Sequence, residues 1–357
     1  WIDNGGEMSQ FYDWNTIRTY GADVTMVVGA RGIGKTYGLR LCFMSDWAKR
    51  RTRFVQIARY RESRRIMEAS YFDRISELPQ WKNSMFKIAS HVAYVAAKPV
   101  EGQKPDWQTC GYFVCMTQQQ DIKNGTFAHV GNICLDEAVL DKRDQYRRYL
   151  TNEVAILARI VDSVTRERPD SETHPHVYLL GNALDPLNPY FERYRIMEPE
   201  YGKSWHDNHN MLLDYVEPGE YSQKKATDTV AGRILAGLPE GQEDVMNKFT
   251  DEAPLSMIGR KPAKAVPEWN VMFRGLAFSI WGDYSTGTVW IVDRTVKDVT
   301  TLAITLDDFG GINMLAAKRA EGVIKTYNAI FFNGGMRFAN QTAYRSYRRV
   351  AEFYGVR

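Results

Sequence analysis

The sequence predicts an α/β chain in two unequal parts, a first half built on buried strands alternating with helices and a smaller α+β second half. Three observations carry this. The apolar run Val24-Thr25-Met26-Val27-Val28 enters a glycine-rich stretch, Gly29-Ala30-Arg31-Gly32-Ile33-Gly34-Lys35-Thr36, and a segment with helical apolar spacing leaves it. Further strand-length apolar runs alternate with helical segments up to about residue 190, the rhythm of a parallel sheet. Beyond residue 271, three strand-like runs follow one another directly and two helical segments close the chain.

At 357 residues the chain is long enough to bury a large core and to divide into domains. With 44% hydrophobic and 25% charged residues it is ordinary for a globular protein, and a net charge of +3 does not by itself imply a nucleic-acid partner. No run of 18 apolar residues marks a membrane span and no signal-peptide pattern opens the chain, so no membrane role is expected. Cys42, Cys110, Cys115 and Cys134 lie in apolar surroundings and read as reduced core residues of a cytosolic protein. His174/His176 and His206/His209 have ligand-like spacing but no third ligand nearby, and read as surface histidines.

The aromatic segment 11–17 precedes the first strand and is expected to cover the edge of the nucleotide site that the glycine-rich loop forms. That loop satisfies the whole phosphate-loop pattern, two glycines bracketing four residues and then Lys-Thr, with a strand before it and a helix after it. Its glycines let main-chain N–H groups turn inward around a β-phosphate, and the helix N-terminus adds its positive end. Lys35 is expected on the β- and γ-phosphates and the Thr36 hydroxyl on Mg²⁺. The eight residues 29–36 are therefore the expected nucleotide-binding set. The loop helix ends in Lys49-Arg50-Arg51, cations at the negative end of its dipole.

A second buried strand, 54–58, finishes in the basic cluster Arg59-Tyr60-Arg61-Glu62-Ser63-Arg64-Arg65. A polar helix and the stop Leu78-Pro79 follow, then strand-like runs at 86–95 and 112–116 separated by a turn-rich segment, 98–107. The next buried strand, Val130-Gly131-Asn132-Ile133-Cys134-Leu135, delivers Asp136-Glu137. An aspartate at a strand end is the usual partner of a phosphate loop, holding Mg²⁺ through water. The glutamate after it is placed to take the proton from an attacking water. About 100 residues and two or three strand-like runs separate Lys35 from Asp136, which favours ATPases with an extra strand between the loop strand and the aspartate strand. No Asn-Lys-x-Asp guanine signature is present, so ATP is expected over GTP.

A charged segment, 141–149, leads into a helix over 152–161 that runs out at Arg166-Glu167-Arg168-Pro169. The strand 177–181 then ends in Asn182, whose amide either reads the γ-phosphate and its water or serves as a plain strand-end turn residue. From 205 to about 248 the composition shifts to Asp, Glu, Gly, Lys and Gln with one helical patch, 230–238, and reads as a small linker. The expected division is thus 1–204, 205–248 and 249–357. Strands at 271–281, 287–293 and 300–306 and helices at 313–332 and 340–354 complete the chain.

The loop 29–35, the strand end Ile57-Ala58-Arg59-Tyr60, the Asp136-Glu137 pair, Asn152-Glu153-Val154, and Asn182-Ala183 with Asn188-Pro189-Tyr190-Phe191 together resemble the DNA-packaging ATPases of the phi29-like bacteriophages. The resemblance is specific over most of the first 200 residues and weaker beyond. It implies an ATPase domain of the extra-strand, catalytic-glutamate class. A small linker and a C-terminal domain with a vestigial RNase H-like nuclease fold would follow. It further implies a pentameric ring on the viral procapsid, in the host cytoplasm, working with the portal and a structural RNA to drive double-stranded DNA inward. Carried over by position, Lys35 and Thr36 are the loop residues, Asp136 the Mg²⁺ acid and Glu137 the base. Arg166 matches a trans-acting arginine finger, with Arg168 its competitor, and Lys123, thirteen residues before Asp136, matches a lysine also offered across the subunit boundary. Arg61 falls where the family faces its DNA channel, and Arg64 and Arg65 extend that basic cluster.

An arginine from a neighbour contributes roughly 10³–10⁵ in rate by neutralising γ-phosphate charge, and makes hydrolysis depend on the ring. A working nuclease would need clustered carboxylates. Asp283, Asp293, Asp307 and Asp308 are available, but turn chemistry accounts for Asp283 and for Asp307-Asp308, so nuclease activity is not expected. Two rival readings stay open: a full terminase that also cuts DNA, and an ATP-binding assembly switch without transport.

Overall fold

The computed structural model describes residues 11–122, 125, 127–141, 146–165, 174–236, 238, 241, 247–249, 253–311, 313–315 and 317–355. Lys123, Arg166 and Arg168 lie outside them. The chain divides into two compact units, Trp1–Thr250 and Asp251–Arg357.

In the first unit, β1 (Val24–Val28), β2 (Arg53–Ala58), β5 (Gln108–Cys115), β6 (Val130–Leu135), β7 (His176–Gly181) and β9 (Met211–Tyr215) are parallel. β3 (Ser84–Ala89) and β4 (Val92–Ala97) extend one edge antiparallel, and β8 (Gly202–His206) closes the other. The nine-stranded order is β3-β4-β5-β2-β6-β7-β1-β9-β8. β7 thus lies between the loop strand β1 and the aspartate strand β6, which is the extra-strand arrangement.

Helices cover both faces because the parallel strands are apolar on both. On one face pack α1 (Trp14–Arg18), α2 (Lys35–Arg50), α3 (Arg61–Ser70) and α4 (Asp73–Ser76), with Trp14, Leu39, Phe43, Phe54 and Tyr71 in a shared core. The short α5 (Gln119–Ile122) belongs to the opposite face. There α6 (Glu153–Thr165) and α7 (Pro189–Tyr194) bury Leu157, Ile160 and Phe191 against Met26, Ile57 and Ile133. α6 offers its apolar residues at helical spacing, and Pro189 opens α7 under the Asn188 cap, whose Oδ1 accepts from Tyr190 and Phe191 N–H.

Several expectations are corrected. The run 86–95 is not one strand but a hairpin, because Ser90 and His91 both take positive φ (+50°, +65°) and reverse the chain in two residues. The boundary at 204/205 falls inside the β8–β9 hairpin. Met211, Leu212 and Leu213 are fully buried and β9 pairs with β1, so residues 205–215 belong to the sheet and not to a linker. The helices α8 (Glu220–Asp228) and α9 (Val230–Leu235) follow.

The second unit has a six-stranded sheet, order β14-β13-β10-β11-β12-β15. The expected strand 271–281 is two: β10 (Val266–Phe273) and β11 (Leu276–Asp283) are joined through Arg274 and Gly275, again both at positive φ. β12 (Thr288–Val292) completes the meander, while β13 (Thr301–Ala303) crosses over to pair parallel with β10. β14 (Met314–Leu315) and β15 (Met336–Phe338) lie at the two edges. The helices α10 (Ala317–Phe332) and α11 (Gln341–Phe353) bury Ile324, Tyr347 and Val350 on this sheet. Among the described residues no helix is long and apolar enough to cross a membrane.

Candidate active site

The site lies at the carboxyl ends of β1, β6 and β7, where an open α/β sheet places its ligands. Gly32 and Gly34 take φ of +88° and +84°, and Gly34 caps α2 without a side chain, so the first-turn amides of that helix face the loop. A Cβ on Gly34 would also come within 2.9 Å of Phe11. The aromatic segment packs on the loop: Tyr12 N–H donates to Ile33 O (2.8 Å), Tyr12 OH to Asp214 (2.6 Å), and Trp14 Nε1 to Lys35 O (2.8 Å).

The buried Lys35 ammonium donates to Gly29 O (2.6 Å), Ala30 O (2.9 Å) and Asn182 Oδ1 (3.0 Å). Asn182 is therefore part of the site, in contact with the loop lysine. One strand further along the sheet, Thr36 Oγ1 donates to Asp136 Oδ1 at 3.2 Å, and the Glu137 N–H donates to the same oxygen at 3.0 Å. Burial pushes the Asp136 carboxyl up, against the nearby Arg40 charge and the Thr36 hydrogen bond. A hydroxyl and a carboxylate side by side form a hard-oxygen set that suits Mg²⁺, an ion that takes one or two protein ligands plus phosphate oxygens and water. Among the described residues no group of three or more His, Cys, Asp or Glu is placed to hold a metal.

Glu137 sits at φ +55° with an exposed side chain, ion-paired to Arg147 (Nη1 to Oε2, 2.8 Å). Its backbone is fixed from below by Arg59, which donates to the carbonyls of Glu137 (2.9 Å) and Ala138 (3.1 Å) and holds Glu153 through two more bonds (2.8 and 2.7 Å). Glu153 also accepts from Tyr190 OH (2.8 Å) and Leu150 N–H (2.9 Å). Burial works against the Arg59 charge, but the Glu153 hydrogen bond and charge outweigh it and hold the guanidinium above its ordinary range. A cavity of about 210 Å³ opens beside this group, lined by Arg40, Arg59, Tyr60, Met67, Asp136 and Glu137.

A family profile described as podovirus DNA encapsidation protein (Gp16) matches residues 7–352. The chain belongs to that family. It is accordingly a DNA-encapsidation protein. The DNA packaging protein of Bacillus phage phi29 is 24% identical over 353 residues, covering 96% of this chain and 99% of the relative. That of Bacillus phage B103 is 24% identical over 329 residues, covering 90% and 94%. Two solved structures share the fold over nearly the whole chain. The phi29 genome packaging motor assembly has a TM-score of 0.67 at 20% identity, with 96% and 100% covered. The Phi-28 gp11 DNA packaging motor has a TM-score of 0.65 at 16% identity, with 98% and 99% covered.

Among the described residues, the expected site side chains fall into two groups. Lys35, Thr36, Asp136, Glu137 and Asn182 converge. Of the expected DNA-facing cluster on α3, Arg61 and Arg65 are exposed. Arg64 is not: it donates to Gln118 (2.9 Å) and lies 3.6 Å from Glu68, which turns it back into the domain. Sequence reasoning assigned no role to Arg59, Glu153 or Tyr190. Their signal was that each lies in a stretch carrying the family resemblance, Arg59 at a strand tip, Glu153 opening a helix and Tyr190 just after Asn188-Pro189. In the second unit, Asp283 is held by Ser285 (2.7 Å) and Thr286 (2.9 Å), Asp308 by Thr305 (2.6 Å), and Asp293 by Asn340 (2.9 Å).

Proposed function

We propose that this chain hydrolyses ATP at the phosphate loop of its first unit and couples each turnover to movement of double-stranded DNA into a procapsid. It does so as a homo-oligomeric, pentameric ring seated with portal and structural RNA in the host cytoplasm. The observation that carries the reading is the convergence of Lys35, Thr36, Asp136, Glu137 and Asn182 on adjacent strand ends. Lys35 leaves the loop carbonyls to bind the β- and γ-phosphate oxygens, and Asn182 orients the γ-phosphate beside it. Thr36 and Asp136 would hold Mg²⁺, which when bound offsets the charge developing on the phosphate oxygens. Glu137 takes the proton of the attacking water once its carboxylate has left Arg147. Arg166 of a neighbouring copy, with Lys123, completes the pocket. Arg61 and Arg65 grip DNA phosphates without reading sequence, so binding weakens steeply with salt.

The test is Glu137→Gln. ATP binding and DNA grip should persist while hydrolysis falls about 10²–10⁴-fold. An assembly switch would keep working with this substitution. Mixing Arg166→Ala chains with Glu137→Gln chains should restore hydrolysis, and no recovery at any ratio counts against the finger. The second unit is proposed to bind, not cut. Metal-dependent plasmid nicking that disappears in Asp293→Ala would instead make the chain a full terminase.

A further inference from the structure

Asn247 lies in the segment expected to be a linker, yet it is 1% exposed. Its side-chain amide reaches the ends of three strands. Nδ2 donates to Val28 O (3.2 Å) and Val216 O (2.8 Å), and Oδ1 accepts from Ala183 N–H (3.3 Å). Val28 is the last residue of β1 and hands the chain to Gly29, where the phosphate loop begins. Ala183 follows Asn182, the residue that receives the Lys35 ammonium. Val216 follows β9 and donates its own N–H to Val28 O (2.8 Å). The amide uses both kinds of hydrogen-bonding group on backbone atoms at the strand tips, and at Val28 O it is a second donor beside the Val216 N–H.

Asn247 is itself held. It takes φ +44°, and Tyr215 OH donates to its carbonyl at 2.5 Å. Two residues on, the buried Phe249 packs against Phe191 and Tyr215, with ring centroids 5.6 and 5.4 Å away. The chain then leads into the second unit at residue 251.

We infer that Asn247 is a positioning residue for ATP hydrolysis: it clamps the entrance of the phosphate loop to the Asn182 strand tip, through the segment that continues into the second unit. Lys35 opens α2 at the far end of the loop that β1 feeds, and Asn182 follows the end of β7, so their relative placement depends on this amide. Loss of the clamp lets the two tips separate, which misplaces the γ-phosphate while leaving the loop able to hold a diphosphate.

The inference rests on the ATPase reading above, and Lys35→Ala is its control: if hydrolysis survives that substitution, the site itself is misassigned. Asn247→Gly in the full chain tolerates the positive φ and removes only the amide. It should lower kcat about tenfold or more with ADP affinity within about threefold of the parent. Combined with Asn182→Ala, it should be no slower than the slower single variant, since both act on one strand tip. A kcat within about twofold of the parent, losses that multiply, or ADP binding lost together with kcat overturns the inference. If Asn247→Gly does not fold, Tyr215→Phe decides, because it deletes only the hydroxyl that holds the Asn247 carbonyl. A kcat about threefold lower at unchanged melting temperature supports the clamp, and an unchanged kcat refutes it.

Discussion

At φ +55° the backbone of Glu137 occupies the left-handed region, which costs a non-glycine residue about 1–2 kcal/mol. Glycine would remove that cost and the carboxylate with it, so the conformation is held by Arg59 from below. The side chain meanwhile is paired to Arg147 at the surface. An exposed ion pair contributes about 0.2–1 kcal/mol, and that is what the carboxylate must give up before it can accept a proton from water. Arg147→Ala should therefore raise basal hydrolysis, by up to about fivefold, in a steady-state assay without DNA. A fall in rate would instead make Arg147 part of the catalytic set.

The elements meet at a second polar group, the Arg59–Glu153–Tyr190 cluster, which ties the end of β2 to the starts of α6 and α7 under the Asp136-Glu137 turn. Arg59 and Glu153 are 4% and 1% exposed, so neither can fall back on water. Glu153→Ala leaves the guanidinium buried without its partner and should cost about 3–5 kcal/mol in chemical denaturation. The double change Arg59→Met with Glu153→Leu should recover most of that stability but not hydrolysis, because the Glu137 and Ala138 carbonyls lose their donors. Full hydrolysis in the double variant would reduce the cluster to a packing role.

What the sequence made legible at this level was the set of local signals. The glycines of the loop, the apolar strands and the acid at the tip of β6 each announce themselves within a few residues. Ser90-His91 and Arg274-Gly275 escaped because three of the four turn residues are not glycine, and their positive φ comes from the twist of the hairpins they join. The β8–β9 hairpin escaped because its edge strand is short and polar, and only pairing with β1 reveals that Met211–Tyr215 is buried. Arg59 with Glu153, and Asn247 with Val28, are contacts made across the fold, which no local pattern encodes.

For the whole molecule, the two units have separate cores, and the second buries its own set around Phe278, Phe338 and Tyr347. Residues 251–357 should accordingly unfold cooperatively when expressed alone, followed by circular dichroism. The same fragment should leave supercoiled plasmid intact with Mg²⁺ or Mn²⁺, since Asp283, Asp293 and Asp308 are each bound to neighbours of their own. Nicking by the fragment would restore the terminase reading.

We propose that copies of this chain complete one another's ATP sites and that duplex DNA passing among them sets the pace. The most direct measurement is the ATP turnover of the full chain across a range of protein concentrations, with and without duplex DNA. The per-chain rate should climb as copies associate, and climb again when duplex is added. A rate that is already maximal for the isolated chain and indifferent to DNA would contradict it.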